Sequence, residues 1–438
     1  MSGIEIGLWS LGAILVLIYT GMHVAIALAL VSFFGIWILR DNADQAARIL
    51  SLATRESISS YLFGVVPLFV LMGLVVSRAN IGRDTFDVAT RFLGGLRGGL
   101  GMSTVGANAI FASITGISIA SAAVFTKIAV PEMIRAGHSA RFATGVVVGS
   151  SILGMLIPPS LLMILYGILA EQSVGALFIA GIGPGILVTV IFCVGIWLMV
   201  RFWSGFTGTA AAPPSYDMSG WRALQDIVSK LLPIVLLVGL VLGGLYGGVF
   251  TPTEAGAIGA LGAILIAFTK RRLSPKMLWQ VTLETGHITA AICFLIIAAT
   301  MYSRMLALTG LPVFLTEWIV ALDVGIYGFL FFYIAVLVLL GTLLDSSSIM
   351  LITVPLALPV AQSLGLDLIW LGIITVLAVE IGLLTPPMGL SVFVVKGALD
   401  DPAISLKDVF MGAAPFAGLM LFALILIVLF PTISLGLL

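Results

Sequence analysis

Two short runs of hydroxyl- and carboxyl-bearing residues interrupt a chain that is otherwise apolar: Thr115-Gly116-Ile117-Ser118-Ile119-Ala120-Ser121 and Asp345-Ser346-Ser347-Ser348. Hydroxyls and unpaired backbone carbonyls are hard oxygen ligands, suited to Na+ or to the polar groups of a substrate. Where such a run tips a helical hairpin, the free N–H groups of the following helix also attract anions. The plainer reading is that Ser, Thr and Gly let helices pack closely in a bilayer. That reading is weakened because Ser118 and Ser346 stand at matching places, 228 residues apart.

A second pair of features has the same separation. Gly154 and Pro158-Pro159 recur as Gly382 and Pro386-Pro387, with Thr385 just before the second pair. A double proline in mid-span removes two backbone donors and frees carbonyls of the preceding turn. Such carbonyls need a partner inside a membrane, and a cation supplies one. The alternative is a kink satisfied by neighbouring helices. Two acids lie near these points. Asp345 either ligates a cation or caps a helix at the turn. Glu380 has Ile152 as its counterpart in the first half; it carries charge or, the reading preferred here, meets a basic or hydroxyl partner between helices. Lys127, on the first hairpin, either attracts a carboxylate or, more simply, snorkels to the membrane surface. His23, His138 and His287 show no metal-ligand spacing, and the glycine-rich stretch 94–101 has no phosphate-loop Lys-Ser/Thr after it.

The elements that must position these residues are membrane helices. The chain has 438 residues, of which 61% are hydrophobic and 9% charged, with 20 basic and 20 acidic side chains. This balance excludes a soluble enzyme, a disordered chain and a nucleic-acid binder. Cys193 and Cys293 both sit in apolar runs, which argues against a disulfide. Long continuous apolar runs predict helices rather than barrel strands. Spans are expected near 6–20, 22–39, 60–79, 140–167, 178–202, 231–249, 254–269, 286–308, 368–396 and 408–433, with re-entrant hairpins at 100–135 and 325–363. The stretch before residue 6 has no Lys or Arg, so the first run reads as a retained span. Segment 83–97 alternates charge and apolar residues at helical spacing and reads as an interfacial arm.

The shift of 228 also aligns Gly82 with Gly310, Pro131 with Pro359 and Gly137 with Gly365. The expected fold is therefore an all-α polytopic membrane protein built as an inverted-topology repeat. The first repeat is 1–202 (hairpin 100–135, broken helix 140–167), the linker 203–230, and the second repeat 231–438 (hairpin 325–363, broken helix 368–396). Five spans and one hairpin per half force the halves into opposite orientations. With both termini outside, inside segments carry 15 Lys and Arg and outside segments 4, with Lys127 on the first hairpin. No ATPase motif is present, so uphill transport would run on an ion gradient or on a partner's ATPase.

The strings FGVVPLFVLMG (63–73), PEMIRAG (131–137), GMLIPPS (154–160), YGGVFTPTEAGAIGA (246–260) and GTLLDSSSIMLITVPLALPV with the later GLLTPPMGL resemble the large membrane subunit of tripartite ATP-independent periplasmic (TRAP) transporters, over nearly the whole chain. The resemblance implies a sodium-driven permease for organic acid anions, such as dicarboxylates or sialic acid, in a bacterial or archaeal inner membrane. Its implied partners are a small four-helix membrane subunit and a periplasmic substrate-binding protein; none is a nucleic acid. It implies one Na+ site between the first tip and the first break (Thr115, Gly116, Ser118, Ser121, Gly154, Pro158) and another between the second tip and break (Asp345, Ser346, Gly382, Thr385, Pro386). Substrate is then expected between the tips, at Ser118, Ile119, Ser347 and Ser348, with Lys127 attracting it. The family's first tip is closer to Ser-Gly-Ser-Ser-Val-Ala, so Ile117 replaces one hydroxyl here. The resemblance also implies an elevator-type fold, whose moving unit is 60–167 with 286–396. The competing expectations are a stand-alone Na+/dicarboxylate symporter of the same superfamily and, further off, a passive facilitator.

Overall fold

The computed structural model describes residues 2–59, 61–208, 221–399 and 401–438, and among these it holds helices and no strand. In chain order they are α1 (Gly3–Tyr19), α2 (Val24–Arg40), α3 (Ala43–Ser59), a 3-10 turn (Tyr61–Gly64), α4 (Val65–Arg78), α5 (Ile81–Leu93), α6 (Gly99–Thr115) and α7 (Ser118–Arg135). There follow α8 (Ala140–Ser151), α9 (Leu153–Leu156), α10 (Leu161–Leu169), α11 (Val174–Phe202), α12 (Ser204–Thr207), α13 (Trp221–Tyr246) and α14 (Pro252–Thr269). The chain ends with α15 (Pro275–Thr309), α16 (Leu311–Ala321), α17 (Gly325–Gly341), α18 (Ser346–Ser363), α19 (Leu368–Gly382), α20 (Leu390–Ala398), α21 (Leu406–Leu429) and α22 (Thr432–Leu435).

Among the described residues, six helices are long and apolar enough to cross a membrane, or eight if each of two bent pairs is one span. The bends are 64° between α4 and α5, and 43° where 140–156 meets α10. Local chemistry starts many of these helices. Ser2 with Glu5, Thr251 with Glu254 and Ser405 with Asp408 form capping boxes on α1, α14 and α21. Ser139 and Asp367, 228 residues apart, cap α8 and α19 by accepting from the N–H groups of Phe142 and Trp370. Gly137 and Gly365, also 228 apart, end α7 and α18 at φ +91° and +70°, a conformation that suits glycine.

Four expectations need correction. Residues 43–59, which fall between the expected spans 22–39 and 60–79, form α3: Ala46, Leu50, Ala53 and Ser57 make a buried stripe that packs on α2 and α15, while its charged residues face out. The span expected at 286–308 is the rear of a single 35-residue helix, α15. Its start is set by the Ser274 cap and Pro275 at the first position, features that hydropathy does not weigh. Residues 311–321 form a helix of their own, α16. Finally, the linker 203–230 is helical at both ends, in α12 and the start of α13; its middle, 209–220, lies outside the described residues.

Candidate functional site at the hairpin tips and helix breaks

Each hairpin tip lies against a proline break. In the first half the chain turns at Gly116 (φ +63°), and a Cβ there would stand 2.5 Å from the Pro159 carbonyl oxygen. The Leu161 N–H donates to the Gly116 carbonyl at 3.2 Å, which ties tip to break. A Cβ on Gly154 would meet the Ile117 carbonyl and the Ser118 nitrogen at 3.0 Å, and one on Gly73 of α4 would meet the Thr115 carbonyl at 2.7 Å. Glycine at these positions lets three backbones approach the same turn. Between them is a small cavity, about 10 Å³, whose lining includes Thr115, Gly116, Pro159 and Ser160. That is near the volume one water-sized occupant needs.

In the second half α17 crosses α19 where Gly341 meets Gly382; a Cβ on Gly382 would sit 2.5 Å from the Gly341 Cα. The Met388 N–H donates to the Thr342 carbonyl at 3.0 Å, again linking hairpin to break. Both proline pairs, Pro158-Pro159 and Pro386-Pro387, are joined by cis peptide bonds. The two breaks differ in exposure. Pro158 and Pro159 are buried, whereas Pro386, Pro387 and Met388 are exposed.

The tips meet at Glu380. This side chain is fully buried, and the Ser346 hydroxyl donates to its Oε1 at 3.1 Å. Ser118, from the other hairpin, lies beside the same carboxyl group. The preferred sequence reading of Glu380 is a basic or hydroxyl partner between helices, and the partner found is a hydroxyl. Its inclusion in the site was missed, because Ile152 at the corresponding place hid its importance. Glu380 Oε2 and Ser121 Oγ are buried and have no hydrogen-bond partner among the described residues. Each is an oxygen that a hard cation such as Na+ could satisfy.

The helix N-termini at the two tips are not alike. Asp345 caps α18: its Oδ2 accepts from the N–H groups of Ser347 (3.1 Å) and Ser348 (3.2 Å), and the Ser348 hydroxyl donates to its Oδ1. At α7 the N-cap is Ile117, which offers no side-chain acceptor. The first N–H groups of α7 are therefore without a side-chain cap, while the α18 end already holds a carboxylate. Ile119 is 42% exposed, Ser347 half-buried and Ser348 buried. Thr115 and Thr385 hydroxyls donate to helix carbonyls, of Phe111 (3.1 Å) and Ile381 (2.9 Å). Lys127 is not brought to the tips. It is nine residues along α7 from Ser118, about 13 Å by helix rise, exposed, and lines a separate cavity.

Outside the bilayer segments, His138 follows α7. Its buried ring is held below the usual histidine range by desolvation, partly offset by the Thr207 carbonyl 3.2 Å from Nδ1.

Helical hairpins and broken helices that share a buried polar centre define a class, the multi-span membrane transporters. The backbone agrees with the YdaH transporter of Alcanivorax borkumensis at a TM-score of 0.64, covering 90% of each chain at 15% identity, a likeness of fold. The sequence model of the tripartite ATP-independent periplasmic transporter, DctM component, matches residues 11–433. The C4-dicarboxylate TRAP transporter large permease protein DctM of Pseudomonas aeruginosa is 34% identical over 396 residues, 90% of each chain. The ectoine TRAP transporter large permease protein TeaC of Halomonas elongata is 29% identical and covers 96% of each. The sialic acid TRAP transporter large permease protein SiaM of Vibrio cholerae is 28% identical, covering 96% of this chain and 95% of that one. The chain belongs to the TRAP transporter family, as its large permease subunit.

Proposed function

We propose that this subunit carries an organic acid anion into the cell, driven by an inward Na+ gradient and supplied by a periplasmic binding protein. The observation that carries the reading is the convergence of Ser118 and Ser346, one from each hairpin tip, on the buried Glu380. It supports a substrate site between the tips, with the anion's carboxylate at the uncapped start of α7. The orphan oxygens and the small cavity beside Thr115 support ion sites next to it. Bound Na+ would offset the cargo's charge and hold each tip against its break.

The proposed architecture is an inverted repeat. Its support is the common offset of α7 and α18, of α8 and α19, of their caps and of the proline breaks. The proposed motion is an elevator, with a moving unit narrower than 60–167 with 286–396. Helix α4 packs on α14 and α15, and α15 runs unbroken along α2 and α3, so both belong with the static part. The movers are then 99–169 and 325–398. Ion pairs hold the arm α5 to the static part: Arg272 and Lys270 both engage the buried Asp84, and Lys230 engages Asp87. The excess of basic residues on one side supports an inner-membrane protein with both termini periplasmic. A small four-helix subunit is expected to complete the static part.

The test is uptake of a labelled carboxylate panel into proteoliposomes, with and without an inward Na+ gradient, and with and without the small subunit and binding protein. Uptake only with Na+ and both partners is the expected result. Na+-driven uptake by this chain alone would make it a stand-alone symporter, and gradient-independent flux would make it a facilitator.

A further inference from the structure

A cavity of about 430 Å³ between α5 and the rear half of α7 is unused by the site described above. Its lining brings together five cations, Arg83, Arg91, Lys127, Arg135 and Lys230, and two acids, Asp87 and Glu132. Some of this charge is paired. Lys230 reaches Asp87 at 2.9 Å and Asp226 at 3.2 Å, Arg91 engages Asp226, and Arg135 engages Glu132 at 3.0 Å. Arg83 and Lys127 are exposed and enter no ion pair among the described residues. Counting Asp226, cations still exceed acids by two.

A second cavity, about 330 Å³, lies between α16, α17 and α18. Its lining residues Leu315, Trp318, Ile319, Leu356 and Val360 stand 228 positions after Asp87, Thr90, Arg91, Ile128 and Glu132, all of which line the first. The two halves therefore enclose a cavity at the same place, between arm and hairpin. The apolar version shows that this place needs no charge for packing. Excess cations gathered in one cavity repel each other unless an anion joins them.

We propose that the cavity between α5 and α7 is a binding site for a phosphate-bearing anion. The inference rests on the repeat and membrane orientation proposed above, but not on Na+ coupling or on the cargo. Guanidinium groups pair with phosphate oxygens through two parallel hydrogen bonds, and three arginines line the cavity. Phe86, Leu100 and Ile128 add an apolar wall, which suits the glycerol end of a phospholipid. The cavity lies on the side assigned to the cytoplasm, where anionic headgroups are abundant and basic pockets between helices take them up. An occupant would touch both the tethered arm and the mobile hairpin, and so would bias where the hairpin rests.

The experiment measures binding to the full-length protein in neutral detergent, using phosphatidylglycerol, phosphatidylcholine and inorganic phosphate as probes. The variants are the double change Arg83→Gln with Lys127→Gln, and a control double change, Arg40→Gln with Arg48→Gln. Phosphatidylglycerol should bind in preference to phosphatidylcholine. The first pair should weaken it about 10- to 30-fold, at about fivefold per cation, and the control should leave it unchanged. Inorganic phosphate that binds with the same dependence on Arg83 and Lys127, and displaces the lipid, supports the site and assigns it to a soluble anion. Failure of both anions to bind, or equal binding in the folded double variant, overturns the proposal. If the double variant elutes as aggregate, Lys127→Gln alone should still cost about fivefold.

Discussion

Replacing Gly116 by Ala tests whether the first hairpin tip works by seating on the first break. The residue sits at φ +63°, and the new Cβ would lie 2.5 Å from the Pro159 carbonyl oxygen, where ordinary contact begins at 3.4 Å. Tip and break must therefore part by about 0.9 Å. The left-handed backbone costs an L-residue about 1–2 kcal/mol. Losing the 3.2 Å bond from the Leu161 N–H to the Gly116 carbonyl costs about 1 kcal/mol more. A penalty of about 2–3 kcal/mol on the seated tip, read as a smaller fraction of binding-competent protein, raises the Na+ needed for half-maximal uptake about 30- to 150-fold. The assay is a Na+ titration of uptake into proteoliposomes, alongside melting temperatures with Na+ and with K+. Gly12→Ala is the control: its Cβ meets nothing within 4 Å, and alanine favours the helix. A Gly116→Ala protein with parental melting and a Na+ requirement within twofold of the parent would refute the seated tip. Lower melting with an unchanged Na+ requirement would keep the packing and move the ion site elsewhere.

Paired changes of Ser118 and Ser121, or of Ser346 and Ser348, to Ala should raise the Na+ requirement of uptake; unchanged Na+ dependence in folded protein would remove that tip from the ion site. Asp84→Asn leaves Lys270 and Arg272 without their shared carboxylate, which is 4% exposed, and should cost about 3 kcal/mol of stability. Arg135→Gln, which breaks an exposed pair, should cost under about 1 kcal/mol in the same thermal unfolding assay. Gly145→Ala would place a Cβ 2.1 Å from the Gly412 carbonyl, where α8 crosses α21, and should lower melting sharply, while Gly286→Ala, in open space, should not. Because burial lowers the pKa of His138 from its ordinary 6.5, its neutral ring contributes fully above that pH, and the contribution is lost as pH falls from 6.5 through the lower folded value. A His138→Asn protein should lose less stability between pH 7.5 and 5.5 than the parent; equal losses would show that the ring does not titrate in this way.

What the sequence made legible was whatever left a covalent mark. Prolines, capping residues and glycines at turns keep their chemistry wherever they stand, so tips and breaks could be located from Ser118, Ser346 and the proline pairs alone. Hydropathy failed where helices carry charge. The stripe of α3 is regular, but Arg48, Arg55 and Glu56 on its other face made it resemble a loop. Lys276 and Glu284 likewise hid the front of α15. Contacts across the fold were illegible for a different reason. Glu380 shows in sequence as one acid in an apolar run, and only folding places Ser346 and Ser118 beside it.

The mismatch between the halves bears on what stays still. Residues 43–78 form α3, a 3-10 turn and α4, whereas their counterparts at 271–306 lie almost wholly within α15. A helix of 35 residues is about 52 Å long, more than the hydrocarbon core needs, so its polar front must project beyond the core at one end. That front carries Glu284, which pairs with Arg78 at the end of α4, while Arg304 near its other end pairs with Glu56 of α3. Helix α15 thus pairs at two points with the broken segment of the opposite half, and it packs along α2, α3 and α4 as well. In the proposed elevator this packing, more than the two exposed ion pairs, keeps α15 with the static part. The second hairpin is then reached from α15 through the turn at Gly310 (φ +74°), where α16 begins, and the first half bends by 64° near the matching position, at Asn80 between α4 and α5.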